Sequence, residues 1–202
     1  MRLPSIALLT AALLTTALLT TLVAGCGAPD ARTETAAAPA PPLFETFGEL
    51  HRDIGTDVPA AQRYFDQGLR LAYGFNHDAA GRAFAEAARL DPACAMCVWG
   101  QALVLGPNIN LPMTGADAPR ATALAHRALA LAAQARPADR ALIEALQRRY
   151  ADPAPGDRQP LDLAYAEALA DATRRFPADD DIATLYAEAL MDLSPWAYWT
   201  ED

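Results

Sequence analysis

The residues best placed to do chemistry are two cysteines three apart, Cys94 and Cys97, in the stretch DPACAMCVWG that runs from Asp91 to Gly100. Only one other cysteine, Cys26, occurs in the chain. A Cys-x-x-Cys pair admits a redox dithiol, half of a metal clip, or a structural pair present as buried thiols or a disulfide. Covalent haem is excluded, because its motif needs His directly after the second cysteine and Val98 stands there. A closed metal site needs more than two thiolates. The tempting third ligand, His77, follows the first helix of one unit while Cys94 opens the first helix of the next. Those positions are a helix length apart, roughly 18–20 Å. A first helical turn lowers a thiol's pKa, which suits redox work, and an oxidising compartment favours a disulfide if that turn relaxes. All three readings stay open, with the structural one foremost.

A second set lies in loops. "FNH" (75–77) and "GPNINLPMTGAD" (106–117) each follow the first helix of a helical hairpin, so both emerge on the same edge. The second is far longer than the roughly three residues such turns need, and long ordered loops tend to carry function. Asn76, His77, Asn108 and Asn110, with Met113 nearby, form the expected loop-edge site for a small ligand or a copper-like metal. The plainer reading is local: Asn suits turns, and His77 bonds its own loop. His51 and His126 have no partners that the sequence places.

Helices must position these residues. From Pro59 the chain is rich in Ala, Leu, Arg and Glu, broken by short Pro/Gly/Asn/Asp loops, and an all-α fold follows. Residues 61–94 fit one tetratricopeptide unit of about 34 residues. Gly68 marks close approach in the first helix; Ala80, Phe84, Ala87 and Pro92 mark the second. The intervals recur at Ala125, Leu129, Ala132 and Pro137, and again at Tyr165, Leu169, Ala172 and Pro177. The expected fold is a helical-hairpin solenoid of about three and a half repeats. It pairs 59–73 with 77–90, 92–105 with 117–135, and 138–150 with 160–175, and a last helix at 179–193 is unpaired. Helical rotation puts Met96, Trp99 and Leu103 on the face that Phe65, Leu69 and Tyr73 share one unit earlier, the expected concave groove for a partner. The cysteines then face neighbouring helices. After the last helix, "SPWAYWTED" offers Trp196, Tyr198 and Trp199 as a further association surface.

Composition closes off most enzyme classes. The formal charge of −9 argues against nucleic acid. All 16 basic residues counted as Lys+Arg are arginine, which removes Schiff-base and P-loop lysine chemistry. Ser194 is the only serine past the leader, and GxGxxG, HExxH and GxSxG are absent. No catalytic role and no cofactor are expected.

The amino-terminal end reads as an address. Arg2 and an apolar run to about Ala24 form a leader ending in "LVAGC". That ending resembles the bacterial lipobox, which implies cleavage before Cys26 and lipid on its thiol. The expected organisation is a signal peptide at 1–25, a lipidated Pro/Ala-rich tether at 26–45, and the repeat domain at 46–202. Gly27 after the lipidated cysteine suggests the periplasmic face of an outer membrane in a two-membraned cell. From His51 to Trp199 the chain also resembles a family of bacterial exported tetratricopeptide lipoproteins, in "AQRYFDQGLRLAYGFNH", "ARLDPACAMCVWGQALVLGPNIN" and "PWAYW". Its members generally run longer, so the resemblance implies a short or truncated member. It implies architecture more than activity; the expected function, from the concave surface that a helical array offers and from the anchor, is a membrane-anchored scaffold in the cell envelope that holds a protein partner.

Overall fold

Proline and short polar caps decide where the helices begin. The computed structural model describes residues 39–46, 48–194, Trp196 and Trp199. The leader, Cys26 with most of the tether, and Tyr198 lie outside the described residues. The helices are α1 (Pro59–Tyr73), α2 (His77–Leu90), α3 (Ala95–Leu103), α4 (Ala118–Leu131), α5 (Pro137–Leu146), α6 (Gln159–Arg175) and α7 (Asp180–Asp192), with a 3₁₀ turn (Ala132–Gln134) after α4. Proline occupies the first turn of α1, α4, α5 and α6, where its missing N–H costs nothing. Asn76 and Asp179 cap α2 and α7 by accepting from Ala79 and Ile182. The described residues contain no strand, so the all-α expectation holds for them. None of these helices is long and apolar enough to cross a membrane.

Each helix packs on its successor, and α1, α3 and α5 also touch in order. The tightest joint is Phe84 of α2, fully buried between α1 and α3. A Cβ on Gly68 of α1 would lie 2.7 Å from its ring, and one on Gly100 of α3 would lie 2.4 Å from it. Both flanking helices therefore carry glycine where the ring enters. The repeat intervals are only partly equivalent in three dimensions. Ala125 and Ala132 are buried as Ala80 and Ala87 are, but Leu129 is 39 % exposed where Phe84 is wholly covered. The reason is that α2 is sandwiched, whereas α4 packs closely on α3 and only lightly on α5.

Several helix boundaries differ from the sequence expectation: α3 ends at Leu103 where 105 is expected, and the helix expected over 117–135 stops at Leu131, before the 3₁₀ turn. The helix expected from Pro92 starts at Ala95, because Asp91 is turned to Ala93 and to Thr56 and cannot cap it; Cys94 takes that place. The helix expected over 138–150 ends at Leu146, after which residues 147–149 form a turn.

The larger correction concerns the groove. Phe65 and Leu69 are fully buried, Met96 and Trp99 are 1 % exposed, and Leu103 is buried too. The Trp99 indole donates to the Leu142 carbonyl of α5 at 3.3 Å, and the Tyr73 hydroxyl donates to Asp181 at 2.7 Å. Apart from Tyr73, which is only half-buried, these residues are the core between successive hairpins and offer no open surface. Part of the cover is the chain's own strap, described at residues 41–46 and 48–56, whose first residues the sequence assigns to the tether. Along α1, Tyr64 and Gln67 donate to the Pro41 and Pro42 carbonyls, and the Phe44 amide donates to Gln67. Arg70 donates to the Leu50 carbonyl, Gln62 to that of Arg52, and the Ile54 amide donates back to Gln62. From this strap the Arg52 side chain reaches across to Asp139 of α5 and to Asp179 and Asp181 at the start of α7.

The Phe84 joint makes Gly100→Ala the sensitive substitution. The added methyl overpacks a ring that cannot retreat, and a loss of about 1–3 kcal/mol is expected in denaturant unfolding. An unchanged midpoint would show that the joint is looser than described.

Candidate functional site

The loop edge is built from the end of α1 outward. The Asn76 amide donates to the Leu71 carbonyl, closing α1 with a Schellman turn. That motif needs a left-handed residue, usually glycine, yet Phe75 occupies the position with φ 57°. Gly74, one residue earlier, keeps a negative φ. A 46 % exposed phenylalanine thus stands in a strained conformation over the edge. Its ring stacks on His77, with centroids 6.4 Å apart.

His77 is fixed from the other loop. The Asn108 side-chain amide donates to His77 Nδ1 at 3.2 Å, and the backbone of Ala72 also interacts with the ring. Burial, reinforced by the nearby Arg149 guanidinium, lowers the imidazole pKa, so the ring is neutral at pH 7. Of the four loop-edge residues, the structure brings His77 and Asn108 together. Asn76 is spent as the α2 cap, and Asn110 is exposed, with its backbone amide donating to Asn108. Met113 is half-buried, its sulfur accepting from Arg158.

Behind this pair lies a charged cluster that the sequence reading missed. Arg149 is 2 % exposed; its Nη2 donates to the Pro107 carbonyl at 2.7 Å and to Asp192 at 2.9 Å. Its guanidinium lies over the Tyr165 ring, 4.5 Å from the centroid. Gly106 permits this, since a Cβ there would lie 2.6 Å from the Tyr150 hydroxyl. That hydroxyl donates to the Ala102 carbonyl, and burial pushes its pKa up to about 12. Glu188 sits one turn before Asp192 on α7. Burial holds both carboxyls above the usual range; Arg149 opposes the shift in each, and Asp192 adds to that of Glu188. A signal was available: Leu142, Leu146 and Arg149 share one helical stripe, as do Ile182, Leu185, Ala189 and Asp192, and a charge on an apolar stripe calls for a buried partner.

Glu188 opens into a cleft of about 340 Å³, lined also by Ala72, Tyr73, Phe75, Ile109, Thr184, Ala187 and Met191. A larger depression of about 530 Å³ lies on the strap side, around His51 to Asp53, Arg136 and Asp179 to Asp181. Arg52 pairs there with Asp179 and Asp181, and Arg136 with Asp53, while Asp180 is exposed. His51, for which the sequence offered no partner, lies 2.8 Å from Asp66 in the same region; His126 is exposed.

Cys94 and Cys97 are joined in a disulfide and buried. As a disulfide the pair has no thiolate to offer a metal. Among the described residues no group of three or more His, Cys, Asp and Glu side chains is arranged to hold a metal ion. No protein-family model, curated protein or solved structure matches the chain.

The raised Glu188 carboxyl sets a pH dependence. The folded chain binds this proton more tightly than the unfolded one, so stability falls as pH rises through the folded pKa. Glu188→Gln removes that penalty. The variant is expected to match or exceed the parent in thermal unfolding at pH 7, with the gap closing as pH falls to about 4. A variant less stable at pH 7 would contradict the placement of Glu188.

Proposed function

We propose that this chain is a tetratricopeptide-type adaptor, held at a membrane of the cell envelope by lipid on Cys26, that grips another polypeptide at its loop edge. The lipobox-like "LVAGC" supports the anchor, and the succession of Pro-started helical hairpins supports the repeat architecture. The observation that carries the binding surface is a contrast between two faces. The expected groove residues other than Tyr73 are consumed as core, and the strap lies along α1, while the loop edge keeps an apolar cleft open. Exposed Phe75 lines that cleft; Leu111 and Leu190, 64 % and 46 % exposed, flank lining residues Ile109 and Met191 in sequence. Apolar side chains of this size, left in water on a charged chain, suit a partner's hydrophobic anchors. Trp196 and Trp199 are also exposed and extend the apolar surface available after α7.

A second reading, a small-ligand protein using the same edge, is favoured by the carboxyl of Glu188 within the cleft. The two share a site and differ in what fills it.

Photo-crosslinking in the anchored, full-length protein tests the adaptor. A crosslinker replacing Leu111 or Leu190 is expected to give a discrete polypeptide adduct that Met191→Arg abolishes. The same group at exposed Leu129 or Leu163, away from the cleft, is expected to give none. Equal adducts at all four positions, or adducts indifferent to Met191→Arg, would refute the loop edge as the docking surface.

A further inference from the structure

The cleft's chemistry is more specific than its apolar lining. Glu188 takes no hydrogen bond from any described side chain, and it lines a space walled by Ala72, Ile109, Ala187 and Met191. The charged and titratable groups around it come from every neighbouring element: Arg149 after α5, Asp192 on α7, His77 on α2 and Tyr73 on α1. His77 is neutral, and the Tyr73 hydroxyl is committed to Asp181. Arg149 is already matched by Asp192 at 2.9 Å, and its Nε is covered from solvent. An ionised Glu188 therefore leaves one negative charge in the cleft with no counter-charge of its own. An incoming anion would meet that carboxylate, while the unpartnered Arg149 Nε–H lies buried behind it. An incoming cation would complete the balance.

The rings point the same way. Tyr73 and Phe75 both line the cleft, and aromatic faces attract cations and pack on their apolar stems. Phe75 is held there by a left-handed backbone that glycine would adopt without strain. Retaining a half-exposed phenylalanine in that position has no packing reason in the core. A carboxylate, two aromatic rings and aliphatic walls in a few hundred Å³ are the components that recognise an organic cation.

We propose that the loop-edge cleft binds an ammonium group on a short apolar stem, with Glu188 as its counter-ion and Tyr73 and Phe75 packed on the stem. The proposal rests on the loop edge being the binding surface. The same chemistry is carried by a lysine side chain of a bound polypeptide or by a free aliphatic amine. The chain has no lysine, so the group comes from another molecule. Because Glu188 must be ionised to pair with it, binding strengthens as pH rises through that residue's raised pKa.

The test titrates the full chain with n-hexylamine, n-hexanol and n-hexanoate, and with a short peptide carrying lysine or norleucine at one position. Hexylamine is expected to bind at least about tenfold more tightly than hexanol, a margin typical of a desolvated charge pair, with hexanoate weakest. Glu188→Gln is expected to erase the hexylamine advantage. Phe75→Gly, which relieves the backbone and so does not threaten the fold, is expected to weaken hexylamine at least about threefold. Equal binding of hexylamine and hexanol, or an advantage that survives Glu188→Gln, would overturn the proposal. If the lysine peptide outbinds its norleucine twin and hexylamine displaces it, the cation belongs to a polypeptide. If hexylamine shows the Glu188 dependence and the two peptides bind alike, the ammonium site stands and the polypeptide adaptor is refuted at this edge.

Discussion

Buried between the strap and two helices, the Arg52 guanidinium lies 2.7 Å from Asp139 and 2.9 Å from both Asp179 and Asp181. Burial alone would weaken its hold on the proton, but the bond to Asp179 and the charges of Asp139 and Asp181 more than offset this and raise its pKa. A charge in such a place is tolerable only while every partner stays in position. Asp179 serves twice, since the oxygen that meets Arg52 also caps α7 by accepting from Ile182. The Arg52 amide is held as well, by Asp66 of α1. One residue of an otherwise irregular segment thus ties α1, α5 and the start of α7 together, and the remaining arrangement follows from that tie.

Helix α7 is fastened at its other end by a second buried arginine. Arg149 holds Asp192 in the last turn of α7 and the Pro107 carbonyl at the root of the long loop. The two arginines therefore set where α7 lies against α1 and against the 106–117 loop, and the cleft lined by all three is the consequence. The strap side pairs Arg52 with Asp179 and Asp181, whereas the loop edge keeps Glu188 without a hydrogen-bonding partner among the described residues. This division explains why an open binding surface is found on the edge and not along the face that helical rotation singles out.

Much of the helical frame was legible in the sequence because its causes are local. Proline at first turns, Asn76 and Asp179 at caps, and the Gly68–Phe84 pairing each act within one helix or between adjacent ones. Rotation puts Phe65, Met96 and Trp99 on one apolar side, and all three are buried, but whether such a side is open depends on what covers it. The cover is non-local: Gln62, Gln67 and Arg70 bond backbone atoms of the strap, and such bonds leave no periodic trace in residues 41–56. Proline-rich composition made the first of those residues look like free tether. The loop-edge pairing of His77 with Asn108 was within reach because both loops follow first helices of hairpins. Arg149 and Asp192 were within reach as well, as charges on otherwise apolar stripes.

The central claim is that Arg52 couples the strap to α7. Amide hydrogen exchange in the parent and in Arg52→Met measures that coupling directly. Removing one partner of a buried ion cluster costs about 3–5 kcal/mol, which must appear in the elements that the cluster joins. The account predicts that residues 41–56 and the first turns of α7 lose protection together, while α2 and α3, joined through Phe84, keep theirs. Undiminished protection in α7 once the strap has been loosened would contradict it.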